Sequence, residues 1–385
     1  MAGRAECAVC AESSGVAIVS LHAVQFNFAT PPPGHGRDDL PWYPVAYVAE
    51  AVAQAGNRVT VVQAFRENFT LERRGIPYHF LSPFGDEFAT LIGGLDADVF
   101  HIHGLEFSRE MQALRTLAPD VPFFVQDHAN RPPRPWHRPR WRRGLKLAGA
   151  FSFCARSQAQ RFEERSLLPR DAAIFEISES SSDFTPGDTE AARATTGMSG
   201  DPCLLWVGHL NANKDPLTVL EGVSLATRHL PALQLYCAYL EAPLLQEVTQ
   251  RIERDPALAG RVHLLGRIGH VDMQRYMRSA DLFVLGSHRE GSGCALMEAM
   301  ACGLPPVVTD IPSFRALTGG GEFCRLWKAG DPQSLCDALV SIGDPPALRA
   351  AARSRFDSTV SFEAIGRQFT NAYRHALEAG RRHRD

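Results

Sequence analysis

The chain has 385 residues, the length of about two domains of ordinary size. Hydrophobic residues make up 45% of it and charged residues 22%, which excludes a disordered chain, a coiled coil and a collagen-like repeat. The net charge of −3, from 40 basic and 43 acidic residues, excludes a global positive field for attracting nucleic acid or an anionic bilayer. Any phosphate binding must therefore be local.

The cysteines do not have the pattern of a disulfide framework. Their number, nine, is odd, and several lie in apolar runs where cysteine acts as a small hydrophobic residue. Cys7 and Cys10 form a CxxC pair with no second ligand pair nearby, which favours a terminal tail over a metal site. We therefore expect a reducing, cytoplasmic location. Neither an export signal nor an apolar run of the roughly 18 residues that a membrane span needs is recognisable.

In the N-terminal half, short apolar runs alternate with longer segments of helical period, which is typical of a parallel α/β layer. A strand is predicted at residues 15–20, a helix at 44–55 and a second strand at 59–63. Two further strands are predicted at 98–102 and 121–126.

Polar residues follow the last two of these strands. His101 and His103 end one of them, and Asp127 and His128 directly follow the other. Ligands of open α/β sheets bind at the carboxyl ends of the strands, so these residues are candidates for a site. Buried structural histidines are the alternative. A zinc site built from the three histidines is less favoured, because no carboxylate or cysteine completes an obvious ligand set.

Ser, Thr, Asp and Gly are concentrated between residues 178 and 200, where no apolar period is sustained. This predicts an N-terminal domain at 1–180, a linker at 181–200 and a C-terminal domain at 201–361. In the C-terminal domain, buried parallel strands are predicted at residues 203–207, 261–265, 281–285 and 306–309. Residues 362–385 predict a helix and charged tail that pack back on the N-terminal domain.

The most informative segment is EGSGCALMEAMACGLPPVV, at residues 290–308 between two predicted strands. Gly291 and Gly293 permit a tight turn, and a helix is predicted at 292–300. The free backbone N–H groups of residues 292–295 and the positive end of the helix dipole form an anion site suited to a phosphate.

Glu290 and Glu298 flank this anion site. A mostly helical path of eight residues separates them by about 12 Å. A glycosidase needs its two carboxylates about 5–5.5 Å apart for retention or about 6.5–9.5 Å apart for inversion. The spacing therefore favours a longer ligand, with sugar hydroxyls at Glu290, a diphosphate at the helix N-terminus and ribose hydroxyls at Glu298.

This segment resembles the family 4 glycosyltransferases, because Glu290 and Glu298 match the two acids of that family's Glu-x7-Glu signature. The resemblance implies an α/β fold of GT-B architecture, in which two Rossmann-like parallel-sheet domains face each other across a cleft. It also implies that Glu290 contacts the donor sugar and that Glu298 holds the ribose. The donor-binding backbone it implies comprises Gly291, Ser292, Gly293 and Cys294.

A second match is WVGHLNANKDP at residues 206–216, a strand that enters a polar turn. Lys214 matches the family's lysine that binds the donor diphosphate, where a cation offsets the charge growing on the leaving group. His209 is a further donor-binding candidate, although the family usually has arginine there and histidine is fully charged only below about pH 6.5. A P-loop is excluded, because no glycine directly precedes Lys214 and Asp215 takes the Ser/Thr position.

The N-terminal segments DADVFHIHG and FFVQDHA resemble the family's strand ends that face the acceptor. His128 matches the histidine beside the donor sugar and acceptor, with Asp127 and His103 as neighbours. In retaining members the departing phosphate is thought to take the acceptor proton, which favours a positioning role for His128 over general-base catalysis. The DxD triplet at residues 96–98 lies at the amino end of a strand and is assigned to a turn. Neither a metal nor another cofactor is expected.

Two loops complete the candidates. The loop at residues 31–39 stands where the family often carries a glycine pair, and Gly34 and Gly36 permit close backbone approach there. Residues 131–146, RPPRPWHRPRWRRGLK, are strongly basic and contain two tryptophans. They are an exposed loop and helix start, or they bind an acidic acceptor or an anionic membrane surface. Nucleic acid is not expected, because no stacking module accompanies them.

The sequence thus predicts a retaining, metal-independent, hexosyltransferase-type enzyme that moves a sugar from a nucleotide diphosphate sugar, a UDP-sugar, to an unidentified acceptor hydroxyl. Its predicted catalytic residues are Glu290, His128 and Lys214. A nucleotide-sugar epimerase on the same fold and a non-catalytic nucleotide-sugar-binding protein are the alternatives. The predicted location is the cytoplasm, with peripheral contact at the inner membrane face through residues 131–146. Residues 309–317 depart from the family's glycine-rich version, which leaves the donor sugar open.

Overall fold

The computed structural model describes residues 20–29, 45–128, 130–321, 323–343 and 345–382. Two sheets, one in each half of the chain, carry the fold, and helices pack against both. The predicted loop at 31–39, with Gly34 and Gly36, lies outside the described ranges, as does the Cys7–Cys10 pair. The seven cysteines inside those ranges are free thiols.

The strands of the N-terminal half are β1 (His22–Asn27), β2 (Arg58–Ala64), β3 (Phe69–Arg73), β4 (Ile76–Leu81), β5 (Val99–His103), β6 (Phe123–Gln126), β7 (Ala148–Phe153) and β8 (Ala173–Glu176). The helices are α1 (Val45–Gln54), α2 (Asp86–Gly94), α3 (Ser108–Leu117), α4 (Arg138–Leu145) and α5 (Arg156–Glu163). The strand order is β3-β4-β2-β1-β5-β6-β7-β8. The pair β3–β4 is antiparallel and the other pairs are parallel.

The strands of the C-terminal half are β9 (Cys203–Gly208), β10 (Gln234–Tyr239), β11 (Val262–Gly266), β12 (Leu282–Leu285), β13 (Pro306–Thr309) and β14 (Arg325–Trp327). The helices are α6 (Thr189–Thr196), α7 (Pro216–Ala226), α8 (Leu245–Arg254), α9 (His270–Ser279), α10 (Cys294–Ala301), α11 (Pro312–Thr318), α12 (Pro332–Val340), α13 (Pro345–Thr359) and α14 (Phe362–Arg382). The strand order is β11-β10-β9-β12-β13-β14, and the pairs are parallel.

The strand predicted at residues 15–20 lies, except for residue 20, outside the described ranges. The first described strand, β1, runs from His22 to Asn27, in the middle of the sheet between β2 and β5, and was not predicted. A central parallel strand is covered on both faces, so its buried residues show no alternation that marks where it begins or ends. His22 is buried there, and its ring nitrogen Nε2 has a hydrogen-bond partner in Thr60 Oγ1 at 3.0 Å.

The predicted linker at 181–200 is not irregular throughout, because it contains helix α6. Asp188 caps this helix by accepting a hydrogen bond from the N–H of Ala191 at 2.8 Å, and Gly197 ends it with a φ of 72°. Arg193 on α6 donates to Asp281 Oδ2 at 2.8 Å, immediately before β12. The helix therefore packs with the C-terminal sheet, and the irregular connection ends before it.

The last helix, α14, packs against α1 and the N-terminal sheet. Gly366 permits this approach, because a Cβ added there would overlap the carbonyl group of Ala51. Asn57 Nδ2 donates to Thr370 Oγ1 at 2.7 Å, and Tyr373 reaches the sheet beside His101. None of the helices within the described ranges has both the length and the apolar character needed to cross a bilayer.

Candidate functional site

Two loops at the carboxyl ends of the neighbouring strands β9 and β12 form the centre of the candidate site. In the first loop, Asn211 Oδ1 accepts hydrogen bonds from the backbone N–H groups of Asn213 and Lys214, both at 3.0 Å. Asn213 then donates from Nδ2 to the carbonyl oxygen of Arg289 in the second loop, at 3.0 Å. The polar turn predicted before Lys214 is thus bonded directly to the loop that carries Glu290.

The close approach of the two loops requires a glycine at position 286. A Cβ added to Gly286 would lie 3.1 Å from the carbonyl oxygens of both Lys214 and Asp215. A second bond joins the loops, because a ring nitrogen of His288 lies 2.9 Å from Asp215 Oδ2. Asp215 also caps α7 through the N–H of Thr218.

Lys214 and Glu290 meet at this junction. The ammonium of Lys214 forms an ion pair with Glu290 Oε1, and the same oxygen accepts a hydrogen bond from Ser287 Oγ at 2.5 Å. Both side chains are largely buried, with 16% of Lys214 and 12% of Glu290 exposed. Because an ammonium has three donors, Lys214 keeps hydrogen-bonding capacity for an anion beyond its bond to Glu290.

Helix α10 begins directly after this loop. Gly293 is its N-cap with a φ of 66°, and a Cβ there would lie 3.0 Å from Leu317 Cδ1, so both backbone and space require glycine. The first backbone N–H groups of a helix have no partner within it. Cys294, in the first turn, is exposed, and its sulfur lies 3.3 Å from Ser292 Oγ. The predicted anion site is therefore open at its surface.

Glu298 lies in the second turn of α10 and is separate from the Lys214–Glu290 pair. Burial, and secondarily the charge of Asp183, raises the pKa of Glu298 to about 7. Its Oε1 lies 3.6 Å from Nδ1 of His270, at the start of α9. The two signature acids thus have different partners, as expected for groups that bind different parts of one ligand.

The side chain of His209 contacts Glu241. Its Nδ1 accepts a hydrogen bond from the backbone N–H of Glu241 at 3.2 Å, and its side chain is 40% exposed. An accepting Nδ1 leaves the proton of a neutral imidazole on Nε2. His209 therefore offers a single N–H donor where the family usually has an arginine.

His128 lies on the N-terminal side, and both of its ring nitrogens are engaged. Nδ1 lies 2.5 Å from Glu179 Oε2, and Nε2 lies 2.9 Å from Nδ1 of His103. His103 continues the chain through Nε2, which lies 3.1 Å from Gln25 Oε1. With neither nitrogen free to accept a proton from an acceptor hydroxyl, this geometry favours a positioning role for His128.

His101 and His103 are buried beneath His128. Burial, followed by the neighbouring histidines, lowers the pKa of each well below the usual range, so both are neutral. His101 bonds through Nδ1 to the hydroxyl of Tyr373 at 2.8 Å. The three rings stand in a row, with centroids 4.2 Å and 5.2 Å apart, rather than converging. Within the described ranges, no group of three or more His, Cys, Asp or Glu side chains is arranged to hold a metal.

The remaining acidic candidates have structural partners. Asp127 Oδ1 accepts a hydrogen bond from the N–H of Asn130 at 2.9 Å, directly after β6. In the DxD triplet, Asp98 Oδ2 accepts from the N–H of His22 at 2.7 Å, and the carbonyl oxygen of Asp96 bonds to the side chain of His22. These bonds lie at the amino end of the sheet, away from the site, as the assignment to a turn predicted.

Glu179 is the site residue that the sequence analysis missed. It lies in the connection between the halves, 51 residues from His128. Its neighbours bond to α10: Ser178 Oγ lies 3.3 Å from the sulfur of Met297, and Ser180 Oγ lies 3.4 Å from that of Cys294. An acid among serines in a predicted linker gives no local signal of such a role.

A cavity of about 440 Å³ opens between the two halves beside Glu290. Its lining includes Asp127, Arg131, Ser157, Arg161, Arg289 and Glu290. Of the predicted site residues, Asp127 from the acceptor side and Glu290 and Gly291 from the donor side therefore face one space.

The basic segment 131–146 divides into parts with different surroundings. Arg142 on α4 donates to the carbonyl oxygens of Arg165 and Ser166, so it has a structural role. Trp136 is 66% exposed, with the guanidinium of Arg134 5.5 Å from its ring centre. Only Arg131 of this segment lines the cavity.

Comparison with known proteins finds relatives among the glycosyltransferases. Residues 201–344 match the model of the group 1 glycosyl transferases. This match in the C-terminal half supports the resemblance to the family 4 glycosyltransferases. The D-inositol 3-phosphate glycosyltransferase of Geodermatophilus obscurus is 29% identical over 203 residues, which cover 51% of this chain and 45% of that protein. The protein of the same name from Mycobacterium tuberculosis (strain ATCC 25177 / H37Ra) is 27% identical over 206 residues, which cover 50% of this chain and 42% of that protein. The chain thus spans about half the length of these relatives.

Solved structures of similar fold cover nearly the whole chain. Sucrose-phosphate synthase from Thermosynechococcus elongatus has a TM-score of 0.66 at 18% identity, covering 93% of this chain and 100% of that one. Anabaena Alr3699/HepE in complex with UDP has a TM-score of 0.69 at 15% identity, and the match covers 91% of this chain and 99% of that one. At such identities the likeness shows the fold, and the predicted GT-B architecture is confirmed.

Proposed function

We propose that this protein is a retaining hexosyltransferase of family 4 that moves a sugar from a UDP-sugar to an acceptor hydroxyl. The observation that carries the proposal is the largely buried ion pair between Lys214 and Glu290, which two bonded strand-end loops hold beside the open start of α10. A cation and free backbone N–H groups at one point suit a diphosphate. A carboxylate beside them suits sugar hydroxyls.

In the proposed complex, the donor diphosphate lies against Lys214 and the backbone N–H groups of residues 292–294. These donors stabilise the negative charge that grows on the leaving phosphate oxygen. The diphosphate competes for the ammonium of Lys214, which frees Glu290 to accept hydrogen bonds from the sugar. Glu298 accepts from the ribose hydroxyls, and His209 supplies one further donor.

In the transfer step, the acceptor oxygen bonds to the anomeric carbon on the face from which the diphosphate leaves. The bond between that carbon and the phosphate oxygen breaks, and its electron pair stays on the diphosphate. The acceptor proton passes to the departing phosphate oxygen. His128, held by Glu179 and His103, positions the acceptor and sugar, with His103 and Asp127 as its acceptor-side neighbours.

Names and titles of similar proteins support the donor class. The Anabaena protein was solved with UDP and, separately, with UDP-glucose. The curated relatives are named as D-inositol 3-phosphate glycosyltransferases. We further propose that the reaction needs no metal or other cofactor, because Lys214 and the helix N–H groups supply the positive potential. A cytoplasmic location, with residues 131–146 at an anionic membrane face, is part of the same proposal, and the exposed Trp136 is consistent with it.

The decisive experiment measures release of nucleoside diphosphate from a panel of donors, with and without candidate acceptors. Glu290→Gln and Lys214→Ala are each expected to lower kcat about 10²- to 10³-fold, the usual loss on removing a group that stabilises transition-state charge. Lys328→Ala is the matched control, because Lys328 is 80% exposed and pairs only with Asp331 within the described ranges. A chelator is expected to leave activity unchanged.

Three outcomes would contradict the proposal. Conversion of the donor to another nucleotide sugar without any acceptor would identify an epimerase. Tight donor binding without release of nucleoside diphosphate would identify a binding protein. Full turnover in both Glu290→Gln and Lys214→Ala would refute the site assignment.

A further inference from the structure

The cavity between the two halves carries positive charge that the proposed donor site does not use. Arg131, Arg161 and Arg289 all line it. Their guanidinium groups form no hydrogen bond or ion pair with other residues of the described ranges. Elsewhere in the chain, arginines such as Arg193 and Arg251 are paired with carboxylates. The three arginines in the cavity are therefore available to a ligand.

The other charged groups of the cavity already have partners. Glu290 is paired with Lys214, and a ring nitrogen of His288 lies 2.9 Å from Asp215 Oδ2. Asp127 accepts a backbone hydrogen bond from Asn130. Three unpaired guanidinium groups around one space raise its potential and attract anions. The planar arginine fork also matches the oxygens of a phosphate through two parallel hydrogen bonds.

Two of these arginines belong to the acceptor side. Arg131 lies shortly after β6 and the candidates Asp127 and His128, and Arg161 lies on α5. Ser157 lines the same cavity one helical turn before Arg161, so both lie on the same face of α5. The donor diphosphate is assigned to Lys214 and α10, in the other half of the chain. An anion bound by Arg131 and Arg161 would therefore be distinct from the donor diphosphate.

We propose that the acceptor carries a phosphomonoester group, which Arg131 and Arg161 bind, with Ser157 as a neutral donor and Arg289 facing it from the C-terminal half. A phosphomonoester matches several cations better than a carboxylate does, because its charge at neutral pH approaches −2 whereas that of a carboxylate is −1. All three arginines are exposed, so they can reach an anionic group that enters the cavity from solvent. This inference rests on the proposed glycosyltransferase function and names the substrate class of its open acceptor side.

The first test compares acceptors that differ only by the phosphate: glucose with glucose 6-phosphate, glycerol with glycerol 3-phosphate, and myo-inositol with a myo-inositol monophosphate. Acceptor-dependent release of nucleoside diphosphate is measured together with the glycosylated product. We expect kcat/KM for a phosphorylated acceptor to exceed that for its neutral partner about 10- to 150-fold, the range for one hydrogen bond to a charged group. A further arm offers phosphatidylcholine vesicles that contain either phosphatidylinositol or phosphatidylinositol 4-phosphate; both have free hydroxyls, and only the second carries a phosphomonoester. Turnover confined to phosphatidylinositol 4-phosphate would assign the phosphate to a lipid.

The second test removes the cations one at a time. Arg131→Gln and Arg161→Gln are each expected to raise the KM for the phosphorylated acceptor about tenfold or more without raising the KM for the donor. Arg170→Gln is the control, because it changes the net charge equally at an exposed position outside the cavity lining. The control separates a specific contact from a loss of general positive field.

The outcomes distinguish this inference from the function on which it rests. Equal transfer to neutral and phosphorylated acceptors, with both arginine variants fully active, would overturn the inference and leave the glycosyltransferase proposal intact. An equal rise in donor KM and acceptor KM would also overturn it, by showing that the arginines hold the donor. Failure of every donor and acceptor pair to give a glycosylated product would instead contradict the proposed function.

Discussion

Replacing Glu179 by glutamine tests whether the acid between the two halves holds His128 in its catalytic orientation. The carboxylate oxygen Oε2 lies 2.5 Å from His128 Nδ1, and the two side chains are only 12% and 20% exposed. Glutamine keeps the size of the side chain and removes its charge. The amide oxygen of glutamine can still accept a hydrogen bond from Nδ1, but without the charge the bond is weaker and holds the ring less firmly against His103.

The expected size of the effect follows from the kind of bond. A hydrogen bond to a charged group contributes about 1.5–3 kcal/mol and a neutral one about 0.5–1.5 kcal/mol, so the substitution costs about 1–1.5 kcal/mol. Since about 1.4 kcal/mol corresponds to a factor of ten, we expect kcat to fall about 5- to 10-fold. The KM for the donor should not change, because the proposed diphosphate and ribose contacts are made by Lys214, α10 and Glu298.

The assay is steady-state release of nucleoside diphosphate, combined with thermal unfolding of each variant. Glu253→Gln, a loss of the same charge at an exposed position on α8, is the control and should be fully active. A double-mutant cycle with His128→Asn should show strong coupling, because the second substitution removes the group on which Glu179 acts. Full activity of Glu179→Gln, or additive effects of the two substitutions, would refute the reasoning.

Two further predictions concern α10 and the last helix. The pKa of Glu298 is raised to about 7, so the fraction of its side chain that is ionised increases between pH 6 and pH 8. The ionised carboxylate is the form proposed to accept hydrogen bonds from the ribose hydroxyls. The KM for the donor should therefore fall from about pH 6 to pH 8, and Glu298→Gln should lack this change. A pH-independent donor KM in the unaltered protein would contradict this role. Gly366→Ala should lower the free energy of unfolding by about 1–3 kcal/mol in denaturant titrations, by pushing α14 away from Ala51. Gly93→Ala in α2, where a Cβ has open space, should instead be neutral or stabilising; equal effects of the two would refute the packing argument.

Features with local boundary signals were predictable from the sequence. Strand β13 begins and ends at the predicted residues, because Gly303, with a φ of 70°, and the prolines after it separate it from α10. The start of α14 at Phe362 was also predicted correctly. The antiparallel pair β3–β4 was not predicted, because β3 contains no run of buried residues that would mark it as a strand.

Contacts between distant segments were not predictable in the same way. Lys214 and Glu290 were both predicted as site residues with separate tasks, but their ion pair depends on the close approach that Gly286 allows. Periodicity and spacing describe neighbours along one element, whereas this pair joins loops 76 residues apart. The pairing of Glu179 with His128 likewise depends on the path of the connection between the halves.

That path gives the connection contacts on both sides of the candidate site. Glu179 contacts His128 on the acceptor side, while Ser178 and Ser180 on either side of it contact α10 on the donor side. A single short segment therefore sets the position of the acceptor-side histidine relative to the helix that is proposed to hold the diphosphate. Because transfer requires the acceptor oxygen and the anomeric carbon to be aligned at the same moment, loss of this alignment should slow the transfer step more than it weakens binding of either substrate alone. This is why the effect of Glu179→Gln is expected in kcat.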